Sequence, residues 1–210
     1  METSATAQQT APGATSAQSM KHMLVNAILY TLITAVALGI GYPLLISGLA
    51  HVLFPRQAAG SLIYRDGRLV GSRLIGQPFT GPGYFWSRPS AAGNGYDASN
   101  SSGSNYAPTN AALISRVNAS VQALKPAPGT SVPVDLVTAS ASGLDPDISP
   151  GAALYQVPRI AVERHISENT VRGLVTAHIT ARQFGILGEP RVNVLELNLA
   201  LDDLTGGAKK

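Results

Sequence analysis

Hydrophobic and polar positions divide this chain into three zones. Residues 1 to 20 are mainly Ser, Thr, Ala, Gln and Gly, with Glu2 the one acidic side chain. From Met23 to Leu49 the sequence MLVNAILYTLITAVALGIGYPLLISGL carries no charged side chain. Beyond it, apolar residues come in short groups divided by Gly, Pro, Ser and Asn. A helix crossing the hydrocarbon core needs about 20 mostly apolar residues, and only a helix satisfies its own backbone there. The apolar core of a signal peptide is shorter, about 7–15 residues. The pattern therefore predicts a disordered tail over 1–22, which lacks the apolar surface to order itself, and a retained transmembrane helix over 23–49.

Within the span, the small residues Ala27, Thr31, Ala35 and Gly39 recur every fourth position. On a regular helix they share one face, and such a strip lets a second membrane helix approach closely. It is the expected face for a membrane partner. Lys21 precedes the span, while Arg56, Arg65, Arg68 and Arg73 follow it. The positive-inside bias would put the following domain in the cytoplasm, but long domains translocate regardless of charge. Local charge leaves sidedness undecided.

The third zone predicts a mixed domain over 50–204 and a flexible tail over 205–210. Asp66-Gly67 between apolar-rich segments predicts a hairpin, with strands at Ser61–Tyr64 and Arg68–Ile75. Gln77 to Asn110 is a long loop; its aromatic residues, Phe79, Tyr84, Phe85, Trp86, Tyr96 and Tyr106, imply that it packs. Asn110 caps a predicted helix to about Leu124, with Ala111, Ile114, Val117, Val121 and Leu124 at helical spacing. After the linker KPAPGTS, VPVDLVTAS reads as a short buried strand. Ser149-Pro150 opens a helix expected to stop or kink at Pro158. Ser167 caps another, with Val171, Leu174, Val175, His178 and Ile179 as its apolar stripe and Gly185 as its end. RVNVLELNLALDDL alternates like a strand but changes phase, which implies a bulge near Val194 or burial on both faces.

Composition adds limits. Of 210 residues, about 155 lie beyond the span, enough for one sizeable core. The net charge is +3 with no basic run, so nucleic acid is excluded as a partner class. Cysteine is absent, and with it any disulfide, thiolate metal site or cysteine nucleophile.

Candidate chemistry is sparse. The patch NSSGSN, Asn100 to Asn105, is either a turn of small polar residues or a set of backbone N–H groups for a phosphate. Arg88, before Pro89-Ser90, either holds an anion or pairs with a carboxylate. Asp145 and Asp147 in SASGLDPDISP, beside Ser140 and Ser142, have the spacing of a hard-cation or acid/base pair and equally of a turn leading into a helix. His165 and His178 lack the i, i+4 spacing of a helical metal pair, and His178 suits a hydrogen-bonded core position. Glu189 and Arg191 in GEPR are placed to fix each other. No nucleophile stands with a base and an orienting group.

The runs GSRLIGQPF, YFWSRPSA, SSGSNYAPTN, VPVDLVTAS, SGLDPDISPGAALYQVPRIA and LGEPRVNVLELNLAL resemble the C subunit family of the Kdp potassium-transporting ATPase. The resemblance runs from the span to about Leu201. It implies an α+β protein: a single N-terminal transmembrane helix followed by one mixed α/β extracytoplasmic domain. It further implies a bacterial inner-membrane location with the tail cytoplasmic and the domain periplasmic. The implied role is that of a non-catalytic subunit. Its partners would be a channel-like potassium-translocating subunit, a P-type ATPase catalytic subunit and a small membrane subunit. The P-type phosphorylation motif DKTG is missing here.

No firmly bound cofactor and no metal are implied, but ATP is a suspected ligand of the family. On that ground the candidate nucleotide contacts are Arg88, Ser90, Ser101, Ser102, Gly103, Ser104 and Asn105. Ser102 and Ala141 stand where the family shows glycine, and Asp147 where it shows histidine, so no metal or acid/base role passes to Asp147. An outer domain has no cytoplasmic ATP, which favours stabilising the complex and shaping the potassium entrance over nucleotide assistance. The alternatives from other classes are a free-standing membrane-anchored enzyme and a solute-binding receptor.

Overall fold

A computed structural model describes residues 14–124 and 130–206. It divides into two units, Met1–Ala59 and Gly60–Lys210. The first is helical: α1 (Ala14–Val36), a π-helical turn (Ala37–Gly41), α2 (Tyr42–Leu53) and a single turn, α3 (Pro55–Ala58). The apolar stretch Ser19–Leu53 spans 35 residues and none of its most apolar window is buried. At 1.5 Å per residue those 35 residues reach about 52 Å, well beyond a hydrocarbon core of about 30 Å.

Two expectations change here. Within the stretch expected as a tail, 1–22, helix is present from Ala14 onward; alanine, glutamine and methionine extend a helix once the apolar run has nucleated it. Residues 1–13 lie outside the described residues. The π turn has a local cause: Pro43 has no N–H to give back to Gly39, and the Tyr42 N–H reaches instead to the Ala37 carbonyl.

The second unit is mixed. Strands β1 (Leu62–Arg65) and β2 (Arg68–Ser72) form an antiparallel hairpin with a bulge between Ile63 and Tyr64. Its turn holds Asp66 and Gly67 at φ 50° and 75°, as a type I′ turn requires. A second antiparallel sheet has the order β3–β5–β4, made of Asp147–Ile148, Arg191–Asn193 and Ile179–Thr180. Around it lie α5 (Pro150–Arg164), α6 (Glu168–Ala177) and α7 (Val194–Leu204). One core joins Ile148, Val157, Ile160, Val171, Val175, Val192, Leu197 and Leu201 with Phe85.

The helix α5 begins as expected: the Ser149 hydroxyl accepts the Ala152 N–H. It does not stop at Pro158. A mid-helix proline costs about 3 kcal/mol, but Val157 and Ile160 on either side of it are fully buried, and each such side chain contributes about 1.5–3 kcal/mol. Burial wins, and the proline ring faces solvent. Ser167 caps α6 through the Thr170 N–H, yet the helix ends at Ala177, His178 being its cap and Ile179 opening β4. Gly185 therefore ends no helix; it sits at a hairpin tip.

The segment expected as a bulged strand, RVNVLELNLALDDL, is strand only through Asn193, and the rest is α7. Its Leu195, Leu197, Leu199 and Leu201 suggest period two. Of the buried residues of α7, Val194, Leu197, Asn198 and Leu201 instead follow the helical i, i+3, i+4, i+7 spacing, with Leu195 widening the stripe. The Asn193 side chain accepts the Glu196 N–H and starts the helix. VPVDLVTAS is likewise no strand but a 3-10 turn at Val134–Leu136, with Leu136 and Val137 buried. Helix α4 (Ala111–Leu124) forms as expected, although none of its residues is fully buried. Residues 125–129 of the linker KPAPGTS lie outside the described residues. Thr205, in the expected flexible tail, is tied down, its hydroxyl accepting from Arg164 Nη1 at 3.2 Å; residues 207–210 lie outside the described residues.

Candidate functional site

The long segment 77–110 contains only one short 3-10 turn, Ala98–Asn100, yet it is firmly held. Two buried amides bracket its backbone. Asn198 of α7 accepts the Phe85 N–H (2.8 Å) and donates to the Phe85 carbonyl (2.9 Å). Gln156 of α5 accepts the Trp86 N–H (2.8 Å) and donates to its carbonyl (3.2 Å). Together they imitate a neighbouring strand, which a buried backbone needs. Two arginines close the clamp. Arg159 lies 3.9 Å from the Trp86 ring centre and donates to the carbonyls of Tyr84 and Pro82. Burial pulls its guanidinium down to about 10, which leaves it charged at neutral pH. Arg164 lies 4.5 Å from the Tyr84 ring centre, donates to the Gly83 carbonyl and pairs with Asp202 at 2.8 Å.

Below the clamp three loops stack. Ser90 donates to the Gly143 carbonyl (2.6 Å) and accepts the Tyr96 N–H (2.7 Å). Ser101 donates to the Ser142 carbonyl (3.0 Å) and Ser102 to the Ala91 carbonyl (3.0 Å). Gly143 sits at φ 67°, where a Cβ would lie 2.6 Å from Ala92 N and 2.8 Å from Ser102 O. A Cβ at Gly103 would lie 3.0 Å from the Ala141 carbonyl. The serine at 102 is accommodated because its hydroxyl points inward to a partner. Among the described residues, no backbone N–H from Ser101 to Asn105 donates to another protein group.

The predicted contacts separate. Arg88 pairs with Asp145 at 2.8 Å and faces a cavity of about 690 Å³ lined also by Leu74, Ile75 and residues 139–142 and 144–146. None of Ser101–Asn105 lines it. The arginine beside the serine loop is Arg116 of α4, its Nη2 3.4 Å from Ser104 Oγ and its guanidinium 5.7 Å from the Tyr106 ring centre. Its Nε is buried without a partner among the described residues. Sequence reasoning passed over Arg116, although it is the one charged residue of α4.

The acidic pair resolves into separate ion pairs. Asp145 accepts the Asp147 N–H as a turn opener and binds Arg88. Asp147 lies 3.1 Å from Arg191 and accepts from Asn193. Burial pushes the Asp147 carboxyl up, against the pull of Asn193 and Arg191. Glu189 pairs with Arg182 rather than with Arg191. His178 bonds the Leu174 carbonyl at 2.8 Å, the role expected of a satisfied histidine.

In the helical unit, Ala27, Thr31 and Ala35 lie exposed on α1, whereas Gly39 falls inside the π turn. A π turn closes i→i+5 bonds, so four-residue spacing no longer stacks Gly39 over Ala35. The small-residue strip as a straight line ends at Ala35.

A family profile described as "KdpC: K+-transporting ATPase, c chain" matches residues 24–203. The chain belongs to the KdpC family. A KdpC subunit of a potassium-transporting ATPase from Acidobacterium capsulatum is 63% identical over 88% of this chain and 100% of its own length. The corresponding subunit of Koribacter versatilis is 59% identical over 87% of this chain and 95% of its own. That of Methylobacterium nodulans is 54% identical over 90% and 98%. The profile match at 24–203 takes in most of the exposed apolar helix as well as the domain, so KdpC membership extends to both units.

Proposed function

We propose that this chain is a non-catalytic accessory subunit of a bacterial inner-membrane, potassium-transporting ATPase. Its N-terminus is cytoplasmic, it crosses the membrane once, and its second unit is periplasmic. There it stabilises the assembly of the channel-like, P-type ATPase and small membrane subunits and helps shape the potassium entrance. The observation that carries this reading is a KdpC-family chain whose 35-residue apolar helix has no internal cover. Lipid and partner helices supply that cover, and close approach is easiest along Ala27, Thr31 and Ala35. Mild detergent extraction tests it: the chain is expected to co-purify with the other subunits, and Ala35→Leu is expected to weaken the association. A chain that purifies alone and turns over a substrate overturns it.

A second reading, nucleotide binding at Ser101–Asn105, is favoured by the row of uncommitted backbone N–H groups there and by Arg116 beside Ser104. Such N–H groups suit phosphate, and a guanidinium adds charge-assisted bonds. ATP titration of the full chain, followed by NMR shifts at 101–105 and Arg116, tests it. Unmoved resonances at millimolar ATP overturn it. Arg88, bound to Asp145 and facing the separate cavity, is not needed for this reading.

A further inference from the structure

The link between β4 and β5 is a tight hairpin with an unusual tip. Gln183 and Leu187 pair across it, and the Ile186 N–H donates to the Gln183 carbonyl at 3.1 Å. The central residues Phe184 and Gly185 have φ 53° and 77°, nearly the values of Asp66 and Gly67 in the other hairpin. The turn is therefore type I′, whose first central position favours Asn, Asp or Gly. A bulky residue with positive φ is a strained outlier, and such strain collects at functional positions.

The strain presents apolar surface to water. Phe184 is 90% exposed, Ile186 75% and Leu187 55%. Every residue from Ala181 to Glu189 is exposed, so the tip helps no core of its own chain. A pair between Arg182 and Glu189 braces its base. Its own backbone bonds hold this apolar knob in one turn geometry, and preorganisation lowers the cost of association.

We infer that Phe184, Ile186 and Leu187 form a docking knob that inserts into an apolar socket on another protein subunit of the complex. The inference rests on the assembly role proposed above. A protein socket fits better than a lipid surface on charge: Arg182 is neutralised by Glu189 and Arg191 by Asp147, whereas recognition of anionic lipid needs a cluster of unpaired basic residues. A central aromatic anchor in a desolvated pocket is also the usual form of an interface hot spot.

The absence of cysteine permits a direct test in the full complex. Phe184→Cys carrying a benzophenone maleimide is expected to cross-link to a second subunit, while Asn169→Cys on exposed α6 is not. Phe184→Asn keeps a residue suited to positive φ, so the hairpin folds, and it is expected to lower co-purification of partner subunits by about tenfold or more. Cross-linking to lipid alone, or undiminished assembly of Phe184→Asn, overturns the knob while leaving the assembly role standing. A wild-type chain that recovers no partner at all overturns the assembly role itself.

Discussion

Two phenylalanines in irregular segments of the second unit meet opposite fates. Phe85, in the long segment 77–110, is fully buried, and the backbone around it is bonded on both sides by Asn198 and Gln156. Phe184, at the tip of the β4–β5 hairpin, is 90% exposed on a strained backbone. The first shows how a segment without regular structure becomes part of a core: helices lend it the hydrogen bonds it lacks. The second contributes to no core, so its surface is available for a partner. Local sequence carries only a hint of the difference: Phe85 stands in an aromatic run between Tyr84 and Trp86, and Phe184 between Gln183 and Gly185.

The contrast can be broken most strongly at Phe85. Phe85→Ala is expected to cost about 3–5 kcal/mol, as other buried aromatic truncations do, seen as a large drop in the thermal midpoint of the second unit. An unchanged midpoint would mean that the long segment is not part of the core. Asn198→Ala comes next: it strands the Phe85 N–H and carbonyl, and at about 1–3 kcal/mol for each buried group left unpaired a loss of about 2–6 kcal/mol is expected. Faster hydrogen exchange at Phe85 and Trp86 should accompany it.

At the base of the hairpin the effect is smaller and depends on pH. Burial raises the Asp147 carboxyl above its ordinary value of 3.8, so the native state holds this proton to higher pH than the unfolded chain. Its contribution to stability is then full below 3.8 and is lost as pH rises through the raised native value. Asp147→Asn should flatten that part of a denaturant-versus-pH profile; an unaltered slope would show that Arg191 and Asn193 offset the burial. Phe184→Asn is the smallest, and its sign is reversed. Relief of left-handed strain should raise stability by up to about 1 kcal/mol, while assembly weakens. A destabilised Phe184→Asn would place Phe184 among the structural residues and remove the contrast.

Much of the architecture was legible in the chain because it is decided within a few residues. The span needs only length and lack of charge. Asp66-Gly67 specifies its turn by backbone sterics, and Ser149 and Ser167 cap their helices through N–H groups three residues on. The candidate site was half legible. Composition singled out the serine loop as a candidate, but the fold pairs Arg88 with Asp145 and puts Arg116 beside Ser104. An arginine's partner depends on which distant loop the fold brings to it.

What only the tertiary structure decided has the same cause throughout. The last segment read as a strand because leucines alternate at Leu195, Leu197, Leu199 and Leu201, whereas the helical stripe includes the polar Asn198. Asn198 is buried there because its amide serves Phe85, 113 positions earlier in the chain. Pro158 predicted a stop or a kink locally, yet the helix runs through it with buried residues on both sides. Sequence fixes what neighbours along the chain can settle by sterics and local hydrogen bonds. Where a polar group is buried, its partner determines the structure, and that partner is supplied by packing across the fold.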